Sequence, residues 1–195
     1  MRTAEIKRKT AETDIAVKLN IDGSGNAAVS TGVGFLDHML TLFAKHGRFD
    51  LDVKCKGDLN VDFHHTVEDV AICIGKAFGQ ALGDKTGITR YGSVILPMDE
   101  ALVLCALDIS GRTFLALDLG IRAKRIGDFD VELIEEFFHG FTRACPVTLH
   151  IKKLDGRNSH HIAEAAFKAF GRTLCAACAL DERLGGRIPS TKGIL

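Results

Sequence analysis

The chain contains one short motif twice. Residues 64–68 read His-His-Thr-Val-Glu and residues 160–164 read His-His-Ile-Ala-Glu, so each is a His pair followed three positions later by Glu. Each copy leads into the same Lys-Ala-Phe-Gly sequence, at 76–79 and at 168–171. A repeat of this specificity predicts that the chain is built from two related halves with related chemistry.

On an α-helix, residues three or four positions apart lie on one face, so His65 and His64 can each converge with Glu68. Adjacent residues point about 100° apart around the helix axis, so the two His of a pair suit two different ions. The alternative is that one His of each pair caps a helix or lies in the core. Two half-sites facing each other would supply four imidazoles and two carboxylates to two metal ions: His64, His65, Glu68, His160, His161 and Glu164.

Composition excludes several other classes of protein. Lys plus Arg equals Asp plus Glu, 25 of each, and Trp is absent, so we expect no nucleic-acid binding. We find no apolar run long enough for a membrane span and no signal-peptide core at the start, so we expect no membrane association. Six cysteines lie inside apolar segments without a disulfide framework, which is typical of buried thiols in the cytoplasm.

Hydrophobic periodicity predicts an α/β (α+β) fold of mixed sheets packed against helices. In the first half, residues 3–19 alternate as a strand, 22–25 form a hairpin turn, and 27–30 form the returning strand. The order β-β-α-β-α then repeats, which indicates internal duplication. We therefore predict a single domain over residues 1–195, made of pseudo-repeats at about 1–90 and 91–195.

Alignment of the two halves adds one residue to each half-site. The first helix of the first half carries His38, and the matching helix of the second half carries Glu136. If the repeat extends to the ligands, His38 and Glu136 are equivalent extra ligands, and each ion has four ligands from the protein.

Beyond the His pairs, the chain resembles the imidazoleglycerol-phosphate dehydratase family over nearly its full length. Several independent motifs occur in the order typical of that family. They are Arg-x-Thr-x-Glu-Thr at 8–13, Gly-Phe-Leu-Asp-His-Met-Leu at 34–40, the first His pair within 62–69, the second within 158–170, and Pro-Ser-Thr-Lys-Gly at 189–193.

The resemblance implies two Mn²⁺ ions per active site, which bind the substrate as an imidazolate. Many members of the family have His at position 136, where this chain has Glu136, and His139 one turn further is a weaker substitute. Nitrogen and oxygen ligands also suit Fe²⁺, and Zn²⁺ is possible. By the family pattern, one ion takes His38, His65, Glu68 and His160, and the other takes His64, Glu136, His161 and Glu164.

The resemblance further implies a hydro-lyase of histidine biosynthesis that converts imidazoleglycerol phosphate to imidazoleacetol phosphate. Glu12 is the candidate base, with His46 and Asp99 as candidates for the acid or proton relay. Glu12 and the ligands His38, His64, His65, Glu68 and His160 also border the substrate. Its phosphate is expected to contact Arg90, Arg112, Lys168, Ser190 and Lys192.

Besides the substrate, the resemblance implies one kind of partner, which is further copies of the same chain. The family forms a large homo-oligomer of about 24 subunits, by family resemblance, in which subunits share active sites.

Two other functions fit the same ligands. A dinuclear hydrolase would activate water at the metals, and a metal-storage protein would only bind them. Glu12 and the extra cationic residues favour the dehydratase, because metal storage does not require them.

Overall fold

A computed structural model describes the whole chain, residues 1–195. The first half contains β1 (Thr3–Lys9), β2 (Thr13–Asn20), β3 (Ala27–Ser30), α1 (Gly34–Gly47), β4 (Asp50–Gly57) and α2 (His64–Leu82). The second half contains β5 (Tyr91–Met98), β6 (Ala101–Asp108), β7 (Phe114–Asp118), β8 (Arg125–Ile126), β9 (Phe129–Asp130), α3 (Glu132–Ala144), β10 (Thr148–Asp155) and α4 (Ser159–Cys178). A short 3₁₀ helix follows at Glu182–Leu184.

Each half forms one four-stranded mixed sheet with the same strand order. The first sheet has the order β1-β2-β4-β3 and the second has the order β5-β6-β10-β7. In both sheets the last pair is parallel and the other two pairs are antiparallel. The mixed α/β architecture is therefore confirmed, and the matching topology is consistent with internal duplication.

The repeated unit is β-β-β-α-β-α, so the expected order β-β-α-β-α lacks one strand of this unit in each half, and the short strands β8 and β9 of the second half were not expected either. The expected strand at 3–19 is broken at a turn, where the Thr10 side-chain oxygen accepts hydrogen bonds from the backbone N–H groups of Glu12 and Thr13, at 3.1 and 3.0 Å. In the second half, Tyr91–Met98 was not predicted as a strand. The alternation of apolar residues continues across the first turn and therefore hides it.

The expected hairpin at 22–25 is also wrong, because Ala27–Ser30 pairs in parallel with β4 and not with β2. The Asp50 carboxylate explains this pairing. One of its oxygens accepts hydrogen bonds from the backbone N–H groups of Ser24 and Asn26, both at 3.0 Å. These bonds hold the loop beside the start of β4 and carry the chain across the sheet.

The four helices form a layer between the two sheets. Helix α2 packs on β1 and β2 and also on α3, while α4 packs on β5 and β6 and also on α1. The inward side chains of the strands and the Phe residues of the helices fill one continuous core, in which Phe43, Phe78, Phe138 and Phe170 are fully buried. No helix combines the length and the apolar character that are needed to cross a membrane.

Two helix crossings bring backbones into close approach at equivalent glycines. A Cβ atom on Gly75 of α2 would lie 2.6 Å from the carbonyl oxygen of Phe141 on α3. A Cβ atom on Gly171 of α4 would lie 2.5 Å from the carbonyl oxygen of Phe43 on α1. The two contacts are related by the duplication, and both require a residue without a side chain.

We predict that Gly75→Ala destabilises the protein, because the new methyl group also lies 2.9 Å from the Ala144 Cβ and must push the helices apart. The expected loss is about 1–3 kcal/mol in the free energy of unfolding. The matched control is Gly79→Ala, one turn further along α2, where the nearest atom is 3.9 Å away. This control should gain about 0.5–1 kcal/mol from helix propensity. Denaturant titration of both variants measures the difference, and equal effects would contradict the crossing argument.

Candidate functional site

Both His pairs lie in the first turn of a helix, where side chains just ahead of the helix fix the backbone. The Asp62 carboxylate accepts a hydrogen bond from the backbone N–H of His64 at 2.8 Å. At the equivalent place in the second half, the Asn158 side-chain oxygen accepts from the N–H groups of His160 and His161, at 2.9 and 3.3 Å. Since such caps satisfy otherwise unpaired N–H groups, both pairs are held at well-defined helix starts.

Three of the predicted ligands meet in one place. His38 Nε2 lies 2.7 Å from Glu164 Oε1, and His160 Nε2 lies 3.3 Å from the same oxygen. The ligand atoms of all three residues are within 4.8 Å of one another, and no other group of three His, Cys, Asp or Glu residues meets this criterion. Two imidazoles and a carboxylate around one point are a donor set that fits a divalent transition-metal cation.

The carboxylate of this group is buried and ionised. Burial alone would raise the pKa of Glu164, but hydrogen bonds from Lys168, His38 and His160 outweigh it and hold the pKa at about 2. The Lys168 ammonium lies 2.6 Å from Glu164 Oε2 and 3.2 Å from the Met98 sulfur. Lys168 is thus hydrogen-bonded to Glu164, a predicted metal ligand of the same chain.

The grouping differs from the ligand sets that the family resemblance implies, in which His38 and Glu164 serve different ions. A single chain also does not bring four of the predicted ligands together at either of the two expected metal positions. The duplication places Glu136 on α3 where α1 has His38, because the Phe141 and Phe43 carbonyls occupy equivalent positions in the two crossings. Glu136 is half-buried, and His139 lies near Glu135, with its Nε2 3.5 Å from that carboxylate.

The first His pair borders a different set of carboxylates. His65 Nδ1 donates to Asp58 Oδ2 at 3.0 Å, and its Nε2 lies 3.6 Å from Glu12 Oε1. The bond to Asp58 raises the pKa of His65. Glu68, one turn further on α2, lies 3.9 Å from Arg143 of α3. The candidate base Glu12 therefore faces a predicted metal ligand.

A buried polar contact anchors the turn that carries Glu12. The Thr13 hydroxyl donates to Asp69 Oδ2 at 2.6 Å, and the Arg8 guanidinium forms a salt bridge with the same carboxylate. Asp69 is 6% exposed and lies on α2, directly after Glu68. The two strands beside the turn are thus tied to the helix that carries the first His pair.

The second His pair has its own carboxylates, on the turn between β5 and β6. His161 Nδ1 donates to Glu100 Oε2 at 2.7 Å, and its Nε2 lies 3.7 Å from Asp99 Oδ2. The other oxygen of Glu100 accepts from the backbone N–H groups of Arg157 and Asn158, at 3.2 and 2.7 Å. The bond to His161 and these backbone bonds lower the pKa of Glu100 to about 2. Asp99 is exposed and is thus open to a reacting molecule.

His46 lies apart from His38 along their helix. It is exposed in the last turn of α1, two turns beyond His38. Partial burial and the charges of Lys168 and Arg172 lower the pKa of His46. The structure therefore gives Asp99 a place beside a predicted metal ligand and gives His46 no hydrogen-bonding partner.

Most of the predicted phosphate residues gather at another place. Arg90 donates to both oxygens of Asp108, at 2.7 and 3.2 Å, and also to the carbonyl oxygen of Pro189 at 2.8 Å. Arg112 lies 3.9 Å from Asp108, so two guanidinium groups share one carboxylate. Ser190 directly follows Pro189, and its hydroxyl accepts from the backbone N–H of Lys192 at 3.2 Å. This group, which we call the arginine cluster, comprises Arg90, Arg112, Asp108, Ser190 and Lys192.

The arginine cluster and the second His pair lie at opposite ends of one sheet. Arg90 directly precedes β5, whereas Asp99 and Glu100 directly follow it. A strand rises about 3.3 Å per residue, so these ends are about 25 Å apart. A small phosphate ester cannot contact both ends within one chain.

Sequence reasoning missed the side chains that orient the predicted ligands. Asp58, Asp69 and Glu100 all contact residues of the motifs, yet none was singled out as functional. Asp69 lies inside the first His motif and could have been found there. Glu100 lies 61 residues from His161 along the chain, whereas Asp58 lies only seven residues before His65, in the irregular connection ahead of α2. Helix or strand periodicity carries no information about either contact.

Comparison with known proteins gives one consistent result. A family model described as imidazoleglycerol-phosphate dehydratase matches residues 31–174. Proteins of that name from Caldanaerobacter subterraneus and Methylorubrum extorquens are 60% and 56% identical to this chain, and each alignment covers 100% of both chains.

Solved structures of similar proteins agree with the sequence comparison. The crystal structure of IGPD from Pyrococcus furiosus in complex with (S)-C348 is 40% identical, with a TM-score of 0.84, and the match covers 97% of this chain and 100% of that one. The imidazoleglycerol-phosphate dehydratase of Staphylococcus aureus is 37% identical, with a TM-score of 0.84, over 92% and 99% of the two chains.

We predict that Asn158→Ala destabilises the protein by about 1 kcal/mol, because it removes the acceptor for two N–H groups at the start of α4. For a chain of this length, the melting temperature should fall by about 2–4 °C. The control Asn158→Asp keeps an acceptor at the helix start and should retain most of the stability. Differential scanning calorimetry tests this, and an equal loss in both variants would argue against capping.

Proposed function

This chain belongs to the imidazoleglycerol-phosphate dehydratase family, and from that premise we propose how its own residues carry out the dehydration. The family's enzymes are hydro-lyases that act on a small phosphate ester, in the histidine pathway that their name implies. One observation supports a metal-dependent mechanism most. The side chains of His38, His160 and Glu164 meet at the start of α4, which carries one of the two His pairs.

The proposed cofactor is a pair of Mn²⁺ ions in each active site. The donor set fits, because imidazoles and carboxylates without thiolate suit Mn²⁺ or Fe²⁺. When bound, the ions act as Lewis acids that hold the substrate ring as an imidazolate. The residues proposed to hold them are His38, His65, Glu68 and His160 for one ion, and His64, Glu136, His161 and Glu164 for the other.

The proposed active site is shared between copies of the chain. Each chain offers one half-site at the start of α4 and another at the start of α2, and its arginine cluster lies about 25 Å from the former. A substrate with its ring on the metals and its phosphate on guanidinium groups therefore needs more than one chain. We extend the family pattern to a large homo-oligomer, of about 24 subunits by family resemblance.

The dehydration requires one proton to leave carbon and one hydroxide to leave the carbon next to it. Glu12 is proposed as the base that takes the proton from the carbon that becomes the ketone carbon. It is exposed, and its carboxylate lies 3.6 Å from the Nε2 atom of His65. The hydroxide leaves the carbon attached to the ring, and the resulting enol tautomerises to the ketone.

A proton donor must assist the departing hydroxide. Asp99 is the better supported of the two candidates, because its carboxylate lies 3.7 Å from His161 Nε2 and is exposed. His46 lies about two turns away from His38 along α1, which weakens its case. In this role Asp99 would give one proton to the departing hydroxide, which leaves as water, while Glu12 would hold the proton taken from carbon, so the number of protons is conserved.

The phosphate is proposed to bind at the arginine cluster. Guanidinium groups bind phosphate oxygens in pairs, and Arg90 and Arg112 already share the Asp108 carboxylate, an anion of similar geometry. Ser190 and Lys192 add a hydroxyl and a cation from the tail. Lys168, also predicted to contact the substrate, is paired with Glu164 and thus lies beside the proposed metals instead.

The cellular location and the type of reaction are also proposals. The cytoplasm is the proposed location, supported by six free cysteines, four of them buried.

Hydrolysis by a dinuclear metal site is the rival reaction that the same ligands could support. An assay on imidazoleglycerol phosphate separates the two, because dehydration gives a product whose enol absorbs ultraviolet light in alkali while phosphate is retained, and hydrolysis releases phosphate.

We predict that Glu12→Gln lowers the turnover number by about 10²–10⁴-fold, because an amide cannot accept the proton. Bound metal per chain, measured by elemental analysis, should stay at the wild-type value. The matched control is Glu5→Gln on β1, an exposed glutamate that pairs only with Lys7 and should keep full activity. Wild-type turnover in Glu12→Gln would remove Glu12 from the mechanism.

We predict that Glu136→Ala lowers metal occupancy at one of the two ions and leaves the other filled. The reason is that Glu136 is proposed as a ligand of one ion only. Titration with Mn²⁺, followed by elemental analysis after removal of free metal, gives ions per chain. Glu132→Ala, on the exposed first turn of the same helix, is the control. Two tightly bound ions in Glu136→Ala would show that position 136 is not a ligand.

A further inference from the structure

We infer that Glu100 is a positioning residue, which holds the ring of His161 so that its Nε2 atom is the one presented to a cation. The inference rests on the proposed function, since it assigns a role at the second proposed metal ion. It concerns a residue that lies outside the ligand sets and outside the proposed acid–base groups.

The hydrogen bonds of Glu100 fix the protonation pattern of the imidazole. An ionised carboxylate can only accept hydrogen bonds, so the contact of 2.7 Å with His161 requires the proton on Nδ1. In the neutral ring, the lone pair is then on Nε2. A His that binds a metal through one nitrogen commonly donates its other N–H to a carboxylate, which fixes the ring orientation.

The other oxygen of Glu100 keeps its side chain from turning away. It accepts from the backbone N–H groups of Arg157 and Asn158, just ahead of α4. The residue before it, Asp99, has φ of +48°, so the turn contains a left-handed residue directly ahead of Glu100. Both oxygens are therefore occupied, and the carboxylate joins the turn, the helix start and His161.

The duplication shows that this role belongs to one half only. The register of β1 with β2 pairs Thr3 with Asn20, and that of β5 with β6 pairs Tyr91 with Asp108. In this register Glu100, directly before β6, is the counterpart of Glu12, directly before β2. The two glutamates occupy equivalent positions beside the second His of each pair.

The two halves use the equivalent glutamates differently. In the first half, Asp58 accepts from His65 Nδ1, and it lies in a connection (58–63) that is longer than its counterpart in the second half (156–158). Glu12 consequently makes no bond to Nδ1 and faces Nε2 at 3.6 Å. In the second half no residue replaces Asp58, and Glu100 orients His161. Asp58 thus leaves Glu12 available for proton transfer.

Glu100→Gln tests the inference, because an amide has one accepting oxygen and one donating nitrogen. Whichever way the amide turns, its NH₂ group must face one of two sets of N–H donors. These are the Nδ1–H of His161 on one side and the backbone N–H groups of Arg157 and Asn158 on the other. Mn²⁺ is titrated into the metal-free protein, and free Mn²⁺ is measured by electron paramagnetic resonance. We expect wild type to bind two ions per chain, and Glu100→Gln to bind one normally and the other about 10–100-fold more weakly.

The matched control is Glu132→Gln, which should bind both ions like wild type. A wild type that binds no pair of ions would overturn the proposed function itself. Tight binding of both ions by Glu100→Gln, in a protein whose wild type binds two, overturns only the role of Glu100. Equal weakening of both ions, with a fall in melting temperature, would show a structural role and also overturn the inference.

A second measurement does not depend on the variant folding. In metal-free wild type, ¹⁵N shifts of the imidazole nitrogens report which one carries the proton, with the His161 signals assigned by their loss in His161→Asn. We expect a protonated Nδ1 and an unprotonated Nε2 at a pH where the ring is neutral. The opposite tautomer would overturn the inference.

Discussion

The close approach of the helices at two glycines sets the four helices that carry the proposed metal ligands against one another. At Gly171 the backbone of α4 contacts the carbonyl of Phe43, and this contact sets α1 and α4 side by side. Only in that arrangement can His38, on α1, reach Glu164, on α4. The same approach at Gly75 sets α2 against α3. Close packing of this kind is rigid, so the core, and not a flexible loop, holds the helices that carry the proposed ligands.

The two halves share the repeated unit β-β-β-α-β-α, as internal duplication would produce, and they differ in the chemistry of the residues around the helix starts. The helix starts keep the His pairs and their caps, because an exposed helix start needs an acceptor in either half. Around them the halves differ in residue type or in contact. Glu136 corresponds to His38, and Glu12 lies near Nε2 of His65 while its counterpart Glu100 accepts from Nδ1 of His161. The backbone is similar in the two halves while the side-chain contacts are not, which fits the proposal that Glu12 takes a proton and Glu100 orients a ligand.

Local sequence patterns predicted the helices well and the site's contacts poorly. The expectation that both His pairs lie on helices agrees with the structure, because α2 begins at His64 and α4 begins at Ser159. The turn at Thr10 was missed, since apolar alternation continues across it. The predicted residues of the motifs do line the starts of two helices, but the meeting of Glu164 with His38 depends on packing between distant segments. Glu100 was missed for the same reason, whereas Asp58 was missed because it lies in an irregular connection that has no periodic pattern.

The separation of the arginine cluster from the second His pair by the full length of β5 has a consequence for mixtures of damaged chains. If copies share their active sites as proposed, an isolated chain carries no complete reaction centre and stays chemically silent until it associates. A chain with a defect at one end of the sheet can then lend its intact end to a neighbour with the opposite defect. Two inactive mutant proteins would regain activity on co-assembly, at the fraction of sites in which the two undamaged ends meet.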